Sequence, residues 1–135
     1  MAIYLERTKK EFNLNDSCPA HEDLSNRQFT CVRAVAAAAG NSMEVSAPAA
    51  QGGLMYGVLT NEPTAQGQVA AIIVEGIIEI RADSAIAAGA AVTVAGTNGR
   101  IETAAAGDYV VGTAREAANG AGHAISVHLN HYYAV

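Results

Sequence analysis

The 135 residues carry a formal net charge of −5, and the imbalance has a location: residues 1–33 hold five Lys or Arg against five Asp or Glu, whereas residues 34–135 hold three against eight. An acidic body without clustered Lys and Arg argues against phosphate-backbone recognition, so no nucleic-acid partner is expected. Half of the residues are hydrophobic, but twenty-nine of all residues are alanine, Trp is absent, and the aromatics are two Phe and five Tyr; this predicts one domain with a thin core that gains from association.

In chain order, residues 1–26 are the most polar and least periodic part and read as an extended N-terminal arm. Its apolar points, Ile3, Tyr4, Leu5, Phe12 and Leu14, are too dispersed for a core and are expected to anchor the arm on another subunit or another protein. Residues 27–35 turn β-like, and 36–51 read mainly as loop, because four alanines before Gly40 are too few for a stable helix. A strand is expected over 53–60. The runs 68–75 and 77–82 follow, interrupted at Gly76, where a glycine inside a strand marks a bulge or sharp bend.

Residues 85–88 have room for one helical turn before Gly89. The runs 90–95 and 100–103 flank Gly96, Thr97, Asn98 and Gly99, and Asn-Gly between β-like runs is a strong hairpin signal. Strands over 109–115 and 123–130 complete the set, and 131–135 form an apolar C-terminal tail. Tyr132 and Tyr133 there suit an interface, since tyrosine buries area and keeps a polar tip, and a flexible tail without contacts is the equal alternative. Six or seven strands joined by short turns predict an all-β fold, a small antiparallel β-barrel or β-sandwich, with 27–130 as a single β-domain.

No basic and apolar leader stands at Met1, and the apolar stretch 34–39 is far too short to span a bilayer. A soluble protein with no membrane partner is expected. Two cysteines in such a chain, Cys18 and Cys31, are more often free thiols than a disulfide. Charged residues make up 16% of the chain, against roughly 25% in an average soluble protein. Such a surface tolerates being covered.

The chemically capable side chains do not assemble into a reactive pattern. His123, His128 and His131 are close in sequence, but His123 and His128 fall on opposite faces of a regular strand and no nearby Cys or carboxylate completes a tetrahedral metal set. Cys18, His21 and Cys31 lack a fourth ligand. Glu75 and Glu79 could share a strand face like a glycosidase pair, without the aromatic platforms that chemistry uses. Ser42 lacks the flanking glycines of a nucleophile elbow, nothing fixes a histidine beside Ser46, Ser84 or Ser126, and no glycine run reproduces a phosphate-binding fingerprint. No catalytic, cofactor-binding or metal site is expected.

The runs Gly76-Ile-Ile-Glu-Ile, Ala88-Gly-Ala-Ala-Val-Thr-Val, Asn98-Gly-Arg-Ile, Gly107-Asp-Tyr-Val-Val-Gly-Thr-Ala and Ile125-Ser-Val-His-Leu together resemble the head decoration, or capsid cement, proteins of tailed bacteriophages. The resemblance covers the second half of the chain and implies a β-barrel or sandwich that docks on the outside of an icosahedral shell. Its implied partners are the major capsid protein and further copies of itself, as a dimer or trimer. It implies a structural protein without catalysis or cofactor that bridges capsid subunits and stabilises the shell, made in the host cytoplasm and carried on the outer surface of the virion. The Ala-rich 34–39 segment and the Tyr132, Tyr133 tail depart from that pattern. Two other classes stay open: a small ligand- or sugar-binding β-module, which would need an aromatic-lined pocket, and an enzyme, which would need a histidine to meet a serine or carboxylate in space.

Overall fold

The computed structural model describes residues 13–37, 40 and 42–133, with the backbone alone for Tyr132 and Tyr133. Among them it has nine strands and no helix: β1 (Leu14–Pro19), β2 (Cys31–Ala36), β3 (Met43–Ser46), β4 (Gly57–Leu59), β5 (Val69–Arg81), β6 (Ala91–Val94), β7 (Ile101–Thr103), β8 (Tyr109–Ala114) and β9 (Ala124–Tyr133). They form an antiparallel sheet, curled into a half-barrel, in the order β3-β2-β4-β5-β9-β8-β6-β7, with β1 also on β5. The expected all-β class holds. So does the hairpin around Asn98-Gly99, where Val94 pairs with Ile101 and Val92 with Thr103.

β5 is the spine. Its thirteen residues are rich in Val and Ile, whose branched side chains suit a pleated, half-buried surface. Over its first half it pairs with both β1 and β4, which meet the same residues Ile72 and Ile73 and therefore occupy opposite edges. Over its second half, Gly76–Arg81, it pairs with β9. The sheet curls from this spine in two directions. One curl returns through a parallel bridge between Ala20 and Val45, the other through a parallel bridge between Ala82 and Ile101.

Each curl wraps a core. The smaller contains Ala20, Leu24, Val32, Val45, Leu59, Ala70 and Ile72, with Cys18, Tyr56 and Val74 against it. The larger contains Cys31, Met55, Val58, Ile80, Ala82, Ile86, Val92, Val94, Ile101, Val111, Ala114, Ala118, Ile125, Val127 and Leu129. Period-two alternation sorts the side chains between them. Cys31, Val58 and Ile73 are register partners that reach the larger core, while their neighbours Val32, Leu59 and Ile72 reach the smaller.

Gly76 is where this alternation changes phase. Before it the odd-numbered Ile73 packs on the larger core; after it the even-numbered Ile78, Ile80 and Ala82 do. A one-residue slip in a strand exchanges its faces, and Gly76 supplies it with φ at 118°. A side chain there would be strained and would overlap the Asn13 carboxamide. That carboxamide accepts from the Ile77 N–H at 2.9 Å and donates to the Ile77 carbonyl at 3.3 Å, standing in for a strand partner at the break.

Several expected boundaries move. The described part of the expected 1–26 arm is integral to the fold, because Leu14–Pro19 is an edge strand on β5 and Ala20 and Leu24 are fully buried. Its polar Asn15 and Ser17 misled the periodicity reading: this strand is held chiefly by its backbone ladder, not by an apolar face. Residues 36–51 are not all loop, since β3 pairs with β2. The last strand runs on to Tyr133 by pairing with β8, so the expected tail begins inside a strand. Residues 85–88 form no helical turn; Ile86 is buried and bridges Ala118 instead. Cys18 and Cys31 are free and serve different cores, and burial pushes the Cys31 thiol up to about 12.

Candidate functional site

The side chains considered for chemistry are dispersed. His21 Nδ1 lies 2.8 Å from Glu44 Oε1, which ties the turn after β1 to β3. His123 is exposed, and its Nδ1 accepts the Asn119 N–H at 3.0 Å. His128 is exposed opposite Ile77. Ser46 is buried and donates to Glu22; Ser126 Oγ accepts from Arg115 at 3.0 Å. Ser42 and Ser84 are exposed, and no hydrogen bond joins a serine to a histidine among the described residues. Glu75 and Glu79 both face solvent. Among the described residues no group of three His, Cys, Asp or Glu is placed to hold a metal ion.

What the fold does build is a groove at the break in the spine. β5 passes from its pairing with β9 to its pairing with β1 at Gly76, and the lead-in to β4 arrives at the same level. The resulting concavity, about 720 Å³, is lined by Asn13, Met55, Tyr56, residues 74–77 and residues 128–131. The Tyr56 hydroxyl donates to Asp16 on β1. That bond, with burial adding to it, pushes the phenol up to about 12, so Tyr56 stays a neutral donor.

His131 forms one wall. Its ring meets Tyr109 edge-on, with centroids 6.0 Å apart and planes at 82°, and its Nδ1 lies 3.5 Å from the Tyr109 hydroxyl. Its Nε2 is buried without a hydrogen-bond partner of good geometry among the described residues. Burial holds the imidazole below its ordinary value, and the Val74 backbone and Glu75 carboxylate oppose this only in part. Desolvation thus favours the neutral imidazole on this wall.

The groove also gathers the two ends of the described chain. Asn13, one residue before Leu14, and His131, one residue before Tyr132, line it together. Of the residues expected to make contacts, Ile3, Tyr4, Leu5 and Phe12 lie outside the described residues. Leu14 is 53% exposed at the start of β1, beside Glu75. Tyr132 and Tyr133 are paired through their backbones with Val110 and Tyr109.

Sequence reading missed a second apolar area. Leu54 is 60% exposed and lines a shallow concavity with Ala34, Ala49 and Tyr56. Ala34 also lines the adjoining one with Val35, Ala36 and Met43. The signal was present in the Ala34, Ala36 alternation along β2, but alanines are too weak a marker to separate an exposed face from a buried one. Val69, 64% exposed at the far end of β5, completes the large apolar side chains left outside among the described residues.

With this geometry in hand, comparison with known proteins is specific. A family model described as phage cement protein matches residues 10–129, nearly the whole chain. The chain belongs to the phage cement protein family. It is accordingly a structural, capsid-associated phage protein. Among solved structures, the head fiber gp8.5 N base of bacteriophage phi29 superposes with a TM-score of 0.65 at 15% identity, covering 87% of this chain and 94% of that one. At that identity the likeness is one of fold. No curated protein matches the chain.

Proposed function

We propose that this cement protein binds the outer surface of an icosahedral capsid, bridges adjacent major capsid protein subunits and stabilises the shell, acting through contacts and not through catalysis. The observation that carries the reading, beyond family membership, is that Asn13 and His131, each next to a segment expected to make contacts, line one groove. Residues 1–12, Leu14 and the Tyr132, Tyr133 end then act as one docking region. Burying Leu14, with the aromatic and aliphatic residues flanking the groove, supplies a central apolar anchor inside a polar rim.

Self-association as a dimer or trimer multiplies weak contacts, because a second engagement on a shell of many equivalent sites is effectively intramolecular. The strip from exposed Leu54 across Ala34 and Ala36 to half-buried Met43 is a second apolar area available to a further copy. The acidic body fits a protein partner and gives nucleic acid no foothold. Synthesis in the host cytoplasm, with no membrane partner, completes the reading.

The test is co-sedimentation with purified capsids of the full chain and of a chain lacking residues 1–12. This truncation spares Asn13 and β1. The expected result is that the shortened protein keeps its melting transition and no longer pellets with shells, while the full chain pellets and raises the shell melting temperature. Undiminished pelleting of the shortened protein would contradict the arm's role. A small ligand- or sugar-binding module is the second reading, favoured by the groove alone. A saturable thermal shift with sugars that Tyr56→Ala abolishes, without capsid binding, would support it.

A further inference from the structure

The chain contains two Asn-Gly dipeptides, Asn98-Gly99 in the β6–β7 hairpin and Asn119-Gly120 between β8 and β9. Their local chemistry is identical, and their structural settings differ. We propose that Asn119 is a site of spontaneous deamidation in the folded protein, whereas Asn98 is protected from it by the fold.

The reaction needs two freedoms. The backbone nitrogen of the following glycine must lose its proton and reach the asparagine Cγ, and the carboxamide must rotate to meet it. The new N–Cγ bond closes a succinimide as the Cγ–Nδ2 bond breaks and ammonia leaves. Water then opens either ring carbonyl to give aspartate or isoaspartate. No oxidant or reductant takes part, and glycine at the following position presents no Cβ to hinder attack.

At Asn98 both freedoms are removed. Its Nδ2 donates to Asp83 Oδ1 at 2.9 Å, and its Oδ1 accepts the Arg100 N–H at 3.0 Å. Gly99 is buried, its N–H is given to the Gly96 carbonyl at 3.0 Å, and its own carbonyl accepts from the Cys31 N–H at 2.8 Å. Reaching the succinimide geometry would break this lattice, which also joins the β6–β7 turn to β2.

At Asn119 neither freedom is restricted. The residue is exposed in the connection between β8 and β9, and neither its carboxamide nor the Gly120 N–H makes a hydrogen bond among the described residues. The turn is held by the Asn119 N–H on His123 Nδ1 and the His123 N–H on the Gly120 carbonyl at 3.3 Å, and on either side by the Ala118–Ile86 pair and the Gly122 N–H on the Ala82 carbonyl at 2.8 Å. None of these engages the Asn119 carboxamide or the Gly120 N–H.

The consequence is local. Each event adds one negative charge to an already acidic chain, and isoaspartate lengthens the backbone beside His123. The site precedes the start of β9, and the groove-lining residues 128–131 begin four residues further on from that start, about 13 Å along the strand.

The test is incubation of the folded full chain at mildly alkaline pH, with peptide mass mapping of both asparagines over time and the denaturant-unfolded chain in parallel. In the folded chain Asn119 should convert faster than Asn98 by on the order of tenfold to a hundredfold, because the four hydrogen bonds holding Asn98 and Gly99 must be loosened before the ring can close. Unfolded, the two should convert at similar rates. Asp83→Ala should speed Asn98 alone, and Asn119→Gln should remove the early acidic species from native ion exchange. Equal rates in the folded chain, faster loss at Asn98, or retention of the Asn119 amide in the folded chain would each overturn the proposal.

Discussion

The two curls of the sheet are built by opposite strategies. In the larger, β6, β7, β8 and β9 are consecutive in the chain, with β5 joining β9 from some fifty residues earlier, and a core rich in Val and Ile lies between them. The smaller is assembled across distance, with β1 meeting β5 some fifty residues later and β3 closing on Ala20. It has fewer buried side chains, two of them alanine, and relies more on polar ties such as Tyr56 to Asp16, Ser46 to Glu22 and Asn13 to Ile77. A region that buries little needs its ladder and side-chain bonds intact. The groove lies where this region meets the larger curl, with Asn13 just before β1, and β5 and β9, all contributing to its walls.

The largest expected effect comes from the larger core. Ile80 is fully buried, and Ile80→Ala should cost about 2–5 kcal/mol by denaturant titration. Leu59→Ala in the smaller core should cost a similar amount, and both variants should unfold in one transition because β5 serves both cores. Two separated transitions would show that the curls are independent units.

Next is the break in the spine. Gly76→Ala forces a β-carbon into a left-handed backbone and against the Asn13 carboxamide, at an expected cost of about 1–3 kcal/mol. Asn13→Ala removes both bonds to Ile77 and should cost about 1–2 kcal/mol. The two losses should be strongly non-additive if they act on one feature, and a double-mutant cycle measures this.

Smaller still is a pH effect confined to the groove. Burial holds His131 below its ordinary value of 6.5, so the unfolded chain takes up a proton that the folded chain resists. The stability tied to neutral His131 is therefore present above that value and lost as pH falls below it. His131→Gln should flatten the stability profile between pH 7 and about 5; an unchanged slope would assign the effect elsewhere. The smallest effect is on reactivity. A thiol reagent should modify half-buried Cys18 in the native protein and leave Cys31, in the larger core, untouched until unfolding.

The same contrast explains what sequence could reveal. The larger curl was legible because β6 to β9 are consecutive, β-branched and separated by Gly and Asn: the runs 90–95, 100–103, 109–115 and 123–130 each overlap a strand, and Gly76 declared its bend. The smaller curl was not. β1 has no apolar alternation, and Asn15, Asp16 and Ser17 read as an arm when their backbones form a ladder. β3 is four residues long inside an Ala-rich stretch.

Leu14 stood out in the sequence as a large apolar side chain in a polar setting, and it is exposed. Leu54 was hidden in an apolar run expected to be a strand. The groove itself was invisible, because Asn13, Tyr56, Gly76 and His131 are spread over more than a hundred residues and only the pairing of β1, β5 and β9 brings them together.

Hydrogen exchange of the full chain, free and bound to capsids, tests the location of docking most directly. Binding through the groove end predicts new protection at Asn13 and Leu14, around Gly76 and over residues 128–133, with none at residues 119–122. Protection confined to the 119–122 end, with the groove strands unchanged, would contradict it.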